Sequence, residues 1–332
     1  MRLSGNTEVA SRPIFELIER ELEEVEVQLK TEAVSPLSLV EEMNSYLHES
    51  GGKRLRPSLL LLLTKLLGVE GSEPIRLGAV VELIHVATLV HDDIIDNSNV
   101  RRGRKSVNAK WGNEVTVLFG DWLYMTAFWV ALKQQNFRVL DILIDITRKM
   151  VEGELLQLQQ NYRFDISMDD HLRICWHKTA HLFSGCGRLG AILGEADLKT
   201  EDCLADYGES LGMAFQLVDD LLDYTSSEET LGKPVLKDLE EGTVTLPIIH
   251  LYQKAGGEER RFLEQVISSR EFTEDNKAKI IELVRSYGTL EDSRNLALEY
   301  ASRAQDLLSS FPPSVYLDAL IELPRLIINR EK

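Results

Sequence analysis

Two copies of one acidic pattern stand on the chain, Asp92-Asp93-Ile94-Ile95-Asp96 and Asp219-Asp220-Leu221-Leu222-Asp223. Each reads DDxxD, and each follows a long apolar stretch. On a helix turning about 100° per residue, the second and third carboxylates lie at about 100° and about 40° from the first, so all three are expected on one face. Burying three carboxylates together is costly unless cations neutralise them. Hard divalent cations held by oxygens and retained by a substrate's phosphates meet that demand, and Mg²⁺ is the usual ion. Two such sets imply one diphosphate site with metal on both sides.

Positive charge gathers beside both sets. Gly51-Gly52-Lys53-Arg54-Leu55-Arg56-Pro57 combines glycines that allow close backbone approach with three cations that bind phosphate oxygens. Past the first acidic set, Arg101-Arg102-Gly103-Arg104-Lys105 places four cations in a turn. Lys178-Thr179 on a later helix, and Lys233 and Lys237 after the second set, add more. One basic run alone is a solvated face as often as a site, but these runs sit at the mouths of both acid-bearing helices. His85 lies two helical turns before Asp92 on nearly the same face, which makes it a candidate phosphate ligand. His91 adjoins Asp92 and is a candidate partner for it.

The elements that carry these residues read as helices. Apolar residues recur at three- and four-residue spacing over 58–68, 75–96, 115–133, 137–160, 170–194, 202–225, 244–255, 259–269, 275–286, 290–309 and 314–328. No run alternates for long like a half-buried strand, and no Asn-Gly or Asp-Gly hairpin signal separates such runs. The expected class is all-α. Helices 75–96 and 202–225 are apolar around most of their circumference and belong inside a large bundle. No break is long enough to be a linker, so residues 1–332 are read as one domain.

Composition narrows the partners. A formal net charge of −17 argues against nucleic acid and against anionic lipid, so an enzyme for anionic substrates must collect its cations locally. Cys175, Cys186 and Cys203 show no CxxC spacing, and neither a disulfide framework nor a zinc site is indicated. The first residues lack the apolar run of a signal peptide, and the run from Leu59 to Leu67 falls short of a membrane span of about 20 residues. A soluble, cytoplasmic protein is expected.

In this order the landmarks resemble the trans-isoprenyl diphosphate synthases (polyprenyl synthetases), and the long-chain, octaprenyl-type branch most. The resemblance runs through Gly51–Pro57, Glu82-Leu83-Ile84-His85, His91–Asp96 and Arg101-Arg102-Gly103. It continues through Gly120-Asp121, Gly153-Glu154, Lys178-Thr179-Ala180, Phe215-Gln216-Leu217 before the second acidic set, and Thr245-Leu246-Pro247. It implies a bundle of roughly a dozen helices around a deep central cavity, usually as a homodimer. It also implies head-to-tail (1'-4) condensation of isopentenyl diphosphate onto an allylic diphosphate, as in the long prenyl chains of quinones. By the same resemblance Asp92, Asp93, Asp96, Asp219 and Asp220 hold three Mg²⁺ on the allylic diphosphate, and Asp223 completes the second set. Arg101, Lys178 and Lys233 bind that diphosphate, with Thr179 beside Lys178. Lys53, Arg56, His85 and Arg102 resemble the isopentenyl diphosphate pocket, and Gln216 the allylic contact.

Two positions depart from the family. A glycine common in the family near Leu236 is missing, and Thr243 stands where a diphosphate-contacting lysine is common, with Lys237 as the candidate substitute. Five residues before Asp92, where an aromatic side chain caps product growth in short-chain members, stands Ala87, followed by Thr88. An open tunnel and a product of C30 or longer are therefore expected, with the floor set by Phe119, Leu123 or Met125. The rival readings are a C15 or C20 synthase, a class I terpene cyclase, and a non-catalytic subunit of a heteromeric synthase.

Overall fold

The computed structural model describes residues 14–49, 51–225 and 236–330; Lys233 lies outside them. Among the described residues the chain is helical almost throughout. In order come α1 (Glu19–Glu32), α2 (Ser38–Glu49), α3 (Leu55–Leu66), α4 (Glu73–Ile95), α5 (Val107–Trp111), α6 (Asn113–Leu132), α7 (Phe137–Gln160) and α8 (Met168–Cys175). There follow α9 (His181–Leu193), α10 (Leu198–Thr225), α11 (Lys237–Glu240), α12 (Leu246–Lys254), α13 (Gly257–Ser269), α14 (Glu274–Ser286), α15 (Thr289–Leu307) and α16 (Val315–Ile328). The all-α class holds.

Three local departures matter. Arg101–Lys105 is not a plain turn but the tip of a two-stranded hairpin, Val100–Arg101 against Arg104–Lys105. Arg102 (φ 52°) and Gly103 (φ 74°) both take left-handed backbone, the requirement of the tight turn that Asn-Gly usually supplies. The expected single helix over 170–194 is broken by a π-helical turn at Trp176–Ala180. There α7 comes so close that a Cβ on Gly153 would meet Lys178 N at 2.9 Å. Helix α2 escaped periodicity because it buries little beyond Met43 and Asn44.

The middle of the bundle is built from α3, α4, α9 and α10. Leu59–Leu63 of α3 are buried without a break, which lets α3 pack against both α4 and α9. Helix α4 also packs on α1 and α6, and α10 lies between α9 and α15. Among the described residues one large connected apolar core runs from Ile14 to Ile328, with a small separate cluster of Cys175, Ala180 and Met213. The Leu59–Leu67 run falls short of a span as expected, but helices α4 and α6 are long and apolar enough to cross a membrane by length and composition. Most of α4 is buried in the core, whereas α6 turns much of its surface outward.

Backbone contact sets the position of α10. A Cβ on Gly208 would stand 2.2 Å from the carbonyl oxygen of Phe183, and one on Gly187 would stand 2.1 Å from that of Leu204. Helices α9 and α10 therefore touch main chain to main chain. Gly208→Ala is expected to destabilise the fold by about 1–3 kcal/mol, since neither backbone can yield locally. Chemical denaturation measures the loss, and an unchanged midpoint would refute the close packing.

Candidate active site

The last turn of α4 carries the first acidic set, but not all on one face. Asp92 and Asp96 are one turn apart and point the same way. Asp93 turns inward, is buried, and accepts a 2.7 Å hydrogen bond from Arg101 Nε on the hairpin. Its main-chain oxygen accepts from Asn108 Nδ2. The rotation of about 100° between neighbours suffices to divide the three carboxylates between two environments. His91 does not pair with Asp92; its Nε2 stands 3.1 Å from the oxygen of Val117 and 3.5 Å from Asp121, against Gly120.

Asp92 and Asp96 are short of compensating charge. Burial pushes Asp92 up to about 7, Glu154 and Asp96 add to the rise, and Lys178 only partly offsets it. Burial likewise raises Asp96 to about 6. Lys178 projects from the π-helical turn, with Nζ 2.8 Å from Glu154 Oε2 and 2.9 Å from Gln157 Oε1. Burial opposes its charge, but Asp92, Glu154 and Asp96 together hold its ammonium above the ordinary lysine value.

The last turns of α10 carry the second set. Asp219 pairs with Arg330, whose guanidinium also lies over the Phe215 ring. Asp220 is buried and accepts from Gln216 Nε2 at 2.9 Å, and Thr179 Oγ1 donates to Gln216 Oε1 at 2.6 Å. Asp223 accepts the backbone N–H groups of Lys237 (3.0 Å) and Asp238 (3.2 Å), so it caps the start of α11. Even so, burial pushes it up to about 6. The turn requires Leu236 at φ 61° while its side chain is fully buried, so backbone strain sits in the stretch where the family's glycine is missing. The Glu241 carboxylate adds to the rise of both Asp96 and Asp223, so one residue lies near both sets. Lys237 pairs with Glu241 at 2.5 Å. Thr243 accepts from Gln157 Nε2 at 3.1 Å and so joins the chain of contacts to Lys178.

A second, basic pocket adjoins Asp219. Arg56 stacks over the rings of Phe183 and Phe215, and its buried Nε has no hydrogen-bond partner. His85 is kept well below its ordinary value by burial and by Arg56, Arg102 and Arg101. A neutral imidazole among three guanidinium groups marks a place built for an anion. Arg102 donates to the carbonyl of Gly51, and Lys53 acts electrostatically on Asp219. Arg54, by contrast, is committed to Glu26 and Glu82 and has a structural role.

Next to Asp92 opens a largely apolar cavity of about 370 Å³, lined among others by Thr88, Tyr124, Met150, Leu155 and Leu158. Thr88 lines it; Ala87 is fully buried in the core and does not. Phe119 and Leu123 are buried outside its lining, and Met125 is exposed. Sequence reasoning missed Gln157, Asp238, Glu241 and Arg330 as site residues. Nothing in the spacing of these single polar residues, outside the two DDxxD sets, distinguishes them from the polar surface.

Known proteins match this arrangement over nearly the whole chain. The family described as Polyprenyl synthetase matches residues 37–284. The chain belongs to the polyprenyl synthetase family. Octaprenyl diphosphate synthase of Haemophilus influenzae is 35% identical over 320 residues, 96% of each chain. The all-trans-nonaprenyl-diphosphate synthase (geranyl-diphosphate specific) of Rhodobacter capsulatus is 37% identical over 298 residues, 89% of this chain and 90% of that one. A crystal structure of a polyprenyl synthase from Caulobacter crescentus CB15, complexed with calcium and isoprenyl diphosphate, matches at a TM-score of 0.93 and 35% identity over all of both chains. This polyprenyl synthetase is an enzyme of the trans-prenyltransferase class.

The raised carboxylates predict a pH dependence. Asp92, Asp96 and Asp223 bind protons more tightly folded than unfolded, so their contribution to stability is full below the ordinary value of 3.8 and is lost as pH rises through about 6 to 7. In chelator, the melting temperature is expected to fall between about pH 5 and about pH 7.5, and Mg²⁺ with pyrophosphate to reduce that fall. A melting temperature that rises with pH in chelator would contradict the assignment.

Proposed function

We propose that this polyprenyl synthetase condenses isopentenyl diphosphate head-to-tail (1'-4) onto an allylic diphosphate. The product would be an all-trans polyprenyl diphosphate of C30 or longer, for a quinone side chain. The observation that carries the reading is the pair of charge-deficient carboxylate sets, the first beside Lys178 and the second beside Arg330, with a separate arginine–histidine cluster next to Asp219. The donors at both sets are carboxylate oxygens whose charge the protein leaves undercompensated, which fits hard divalent cations. Asp92, Asp96, Asp219, Asp220 and Asp223 would hold Mg²⁺, three ions as the family resemblance implies, with Asp93 acting through Arg101. Bound there, the ions would supply charge stabilisation to the departing diphosphate.

Lys178 and Arg101 lie against the first set and bind the allylic diphosphate, with Lys233, which lies outside the described residues, as a third cation by the family resemblance. Thr179 and Gln216 orient Asp220. Arg56, His85, Lys53 and Arg102 bind isopentenyl diphosphate, whose double bond attacks the allylic carbon as its C–O bond opens. The proton lost afterwards passes to the released pyrophosphate, so no side-chain base is required. The apolar cavity beside Asp92 excludes water from the cation and receives the growing chain.

The whole chain is proposed to act as one domain, in the cytoplasm, with no nucleic-acid partner and no stable membrane insertion. It is also proposed to act as a homodimer. Leu118, Met125, Trp129 and Leu132 of α6 share one spacing with Ile144, Val151, Leu155 and Leu158 of α7, and all are exposed. Such a contiguous apolar face needs a partner. Val151, Leu155 and Leu158 also line the cavity, so a second copy would close its outer wall.

The test supplies isopentenyl diphosphate, Mg²⁺ and, separately, C5, C10, C15 or C20 allylic primers, and sizes the dephosphorylated products. A ladder ending at C30 or beyond is expected, chelator should abolish it, and Lys178→Ala should lower kcat by about 10²–10³. Thr88→Phe, at the cavity wall, should shorten the longest product. Wild-type product ending at C15 or C20 would assign the short-chain chemistry, and no consumption of isopentenyl diphosphate would remove the synthase. Sedimentation should show a dimer that Trp129→Glu converts to monomer; a monomeric wild type would refute the proposed interface.

A further inference from the structure

Helices α8 and α10 bring three ligand-type side chains to one buried point. His171 and Cys175 stand four residues apart on α8 and so share a face, and Asp220 reaches them from α10. His171 Nε2, Cys175 Sγ and an Asp220 oxygen all lie within 4.8 Å of one another, and all three residues are buried. Nε2 is 3.0 Å from Asp220 Oδ2 and 3.4 Å from Cys175 Sγ. One imidazole N–H cannot serve both neighbours well, so hydrogen bonding alone leaves the cluster poorly matched.

We propose that His171, Cys175 and Asp220 form a binding site for a thiophilic divalent cation of the Zn²⁺ class. A tetrahedral Zn²⁺ with bonds of about 2.0–2.3 Å spaces its nitrogen, oxygen and sulfur ligands about 3.3–3.6 Å apart, so the two contacts of Nε2 need open only by a few tenths of an ångström, while the sulfur and the carboxylate oxygen, within 4.8 Å of each other, close toward that spacing around the ion. The ligand set is one that soft and borderline cations accept and Mg²⁺ does not, because it includes a cysteine sulfur that a bound cation would hold as thiolate. Three protein ligands leave a fourth position for water or a substrate oxygen. The absence of CxxC spacing argued against zinc in the sequence. The structure assembles the ligands from two helices far apart in the chain, where spacing carries no signal.

Asp220 also belongs to the second acidic set. A Zn²⁺ here draws a carboxylate oxygen toward α8 and inhibits condensation even in excess Mg²⁺. This consequence rests on the proposed function; the binding itself does not.

The full chain, stripped of metal with chelator and then freed of it, is titrated with Co²⁺ as a spectroscopic probe. Expected are a thiolate-to-cobalt charge-transfer band in the near ultraviolet and intense tetrahedral visible bands, saturating at one Co²⁺ per chain and displaced by Zn²⁺. Cys175→Ser should lose the charge-transfer band, and Cys203→Ser should keep it. Because substitution in the core can disturb folding, His171→Gln is a second variant that retains a donor to Asp220; it should weaken Co²⁺ binding at least tenfold at an unchanged melting temperature. No band in the wild type, or a band that survives Cys175→Ser, overturns the site. In the condensation assay, Zn²⁺ should inhibit the wild type at a concentration at least tenfold below that needed for Cys175→Ser. A cobalt band without condensation activity keeps this site and sinks the proposed function; activity without the band does the reverse.

Discussion

Carboxylate charge held out of water, with too little positive charge beside it, is the constraint on which the rest of this structure turns. Asp92 and Asp96 at the end of α4, and Asp223 at the end of α10, are all driven toward neutrality by burial. Lys178 is the principal cation near the first set and is already shared with Glu154 and Gln157. A fold that carries this electrostatic deficit gains its stability elsewhere, in the continuous apolar core and in the glycine-mediated contact of α9 with α10. The deficit is then available to whatever cations and diphosphate the site receives.

Irregular backbone does the aiming. The hairpin at Val100–Lys105 carries Arg101 to Asp93, and its left-handed Arg102 reaches back to Gly51. The π-helical turn sets Lys178 toward the first acidic set while Thr179 faces Gln216. The short helix α11 gives its first two N–H groups to Asp223, at the expense of a strained Leu236. In each case a departure from regular α-helix aims side chains or backbone N–H groups that a continuous helix would have sent elsewhere, which is a recurrent use of π-turns and strained residues at functional sites.

How far the sequence could be read depended on the kind of information each residue carried. The helical class, the two acidic sets, Lys178 and the Arg56–His85 pocket were legible, because periodicity and clustered charge are local signals. Arg330 was not, since a lone arginine near the chain end acquires a role only when α16 returns to α10 and places it on Asp219. His91 looked like a partner of Asp92 from adjacency, yet its ring turns to α6. The cavity wall shifted by one residue, from Ala87 to Thr88, and that single step is a rotation of about 100° from core to cavity. Met125 failed as a floor because its helix turns that face outward.

By itself, then, the sequence determined the chemistry available: paired aspartates, a local supply of arginine and lysine, helices apolar enough to bury them, and a family whose landmarks appear in order. Only the tertiary structure decided which of those aspartates turn inward to buried partners, which cations are already committed, and which apolar residues line a cavity rather than fill the core. The physical reason is that side-chain type and helical phase are encoded locally. The direction of each carboxylate, and the convergence of His171, Cys175 and Asp220, depend on how separate helices pack, and on contacts as close as that of Gly208 with Phe183.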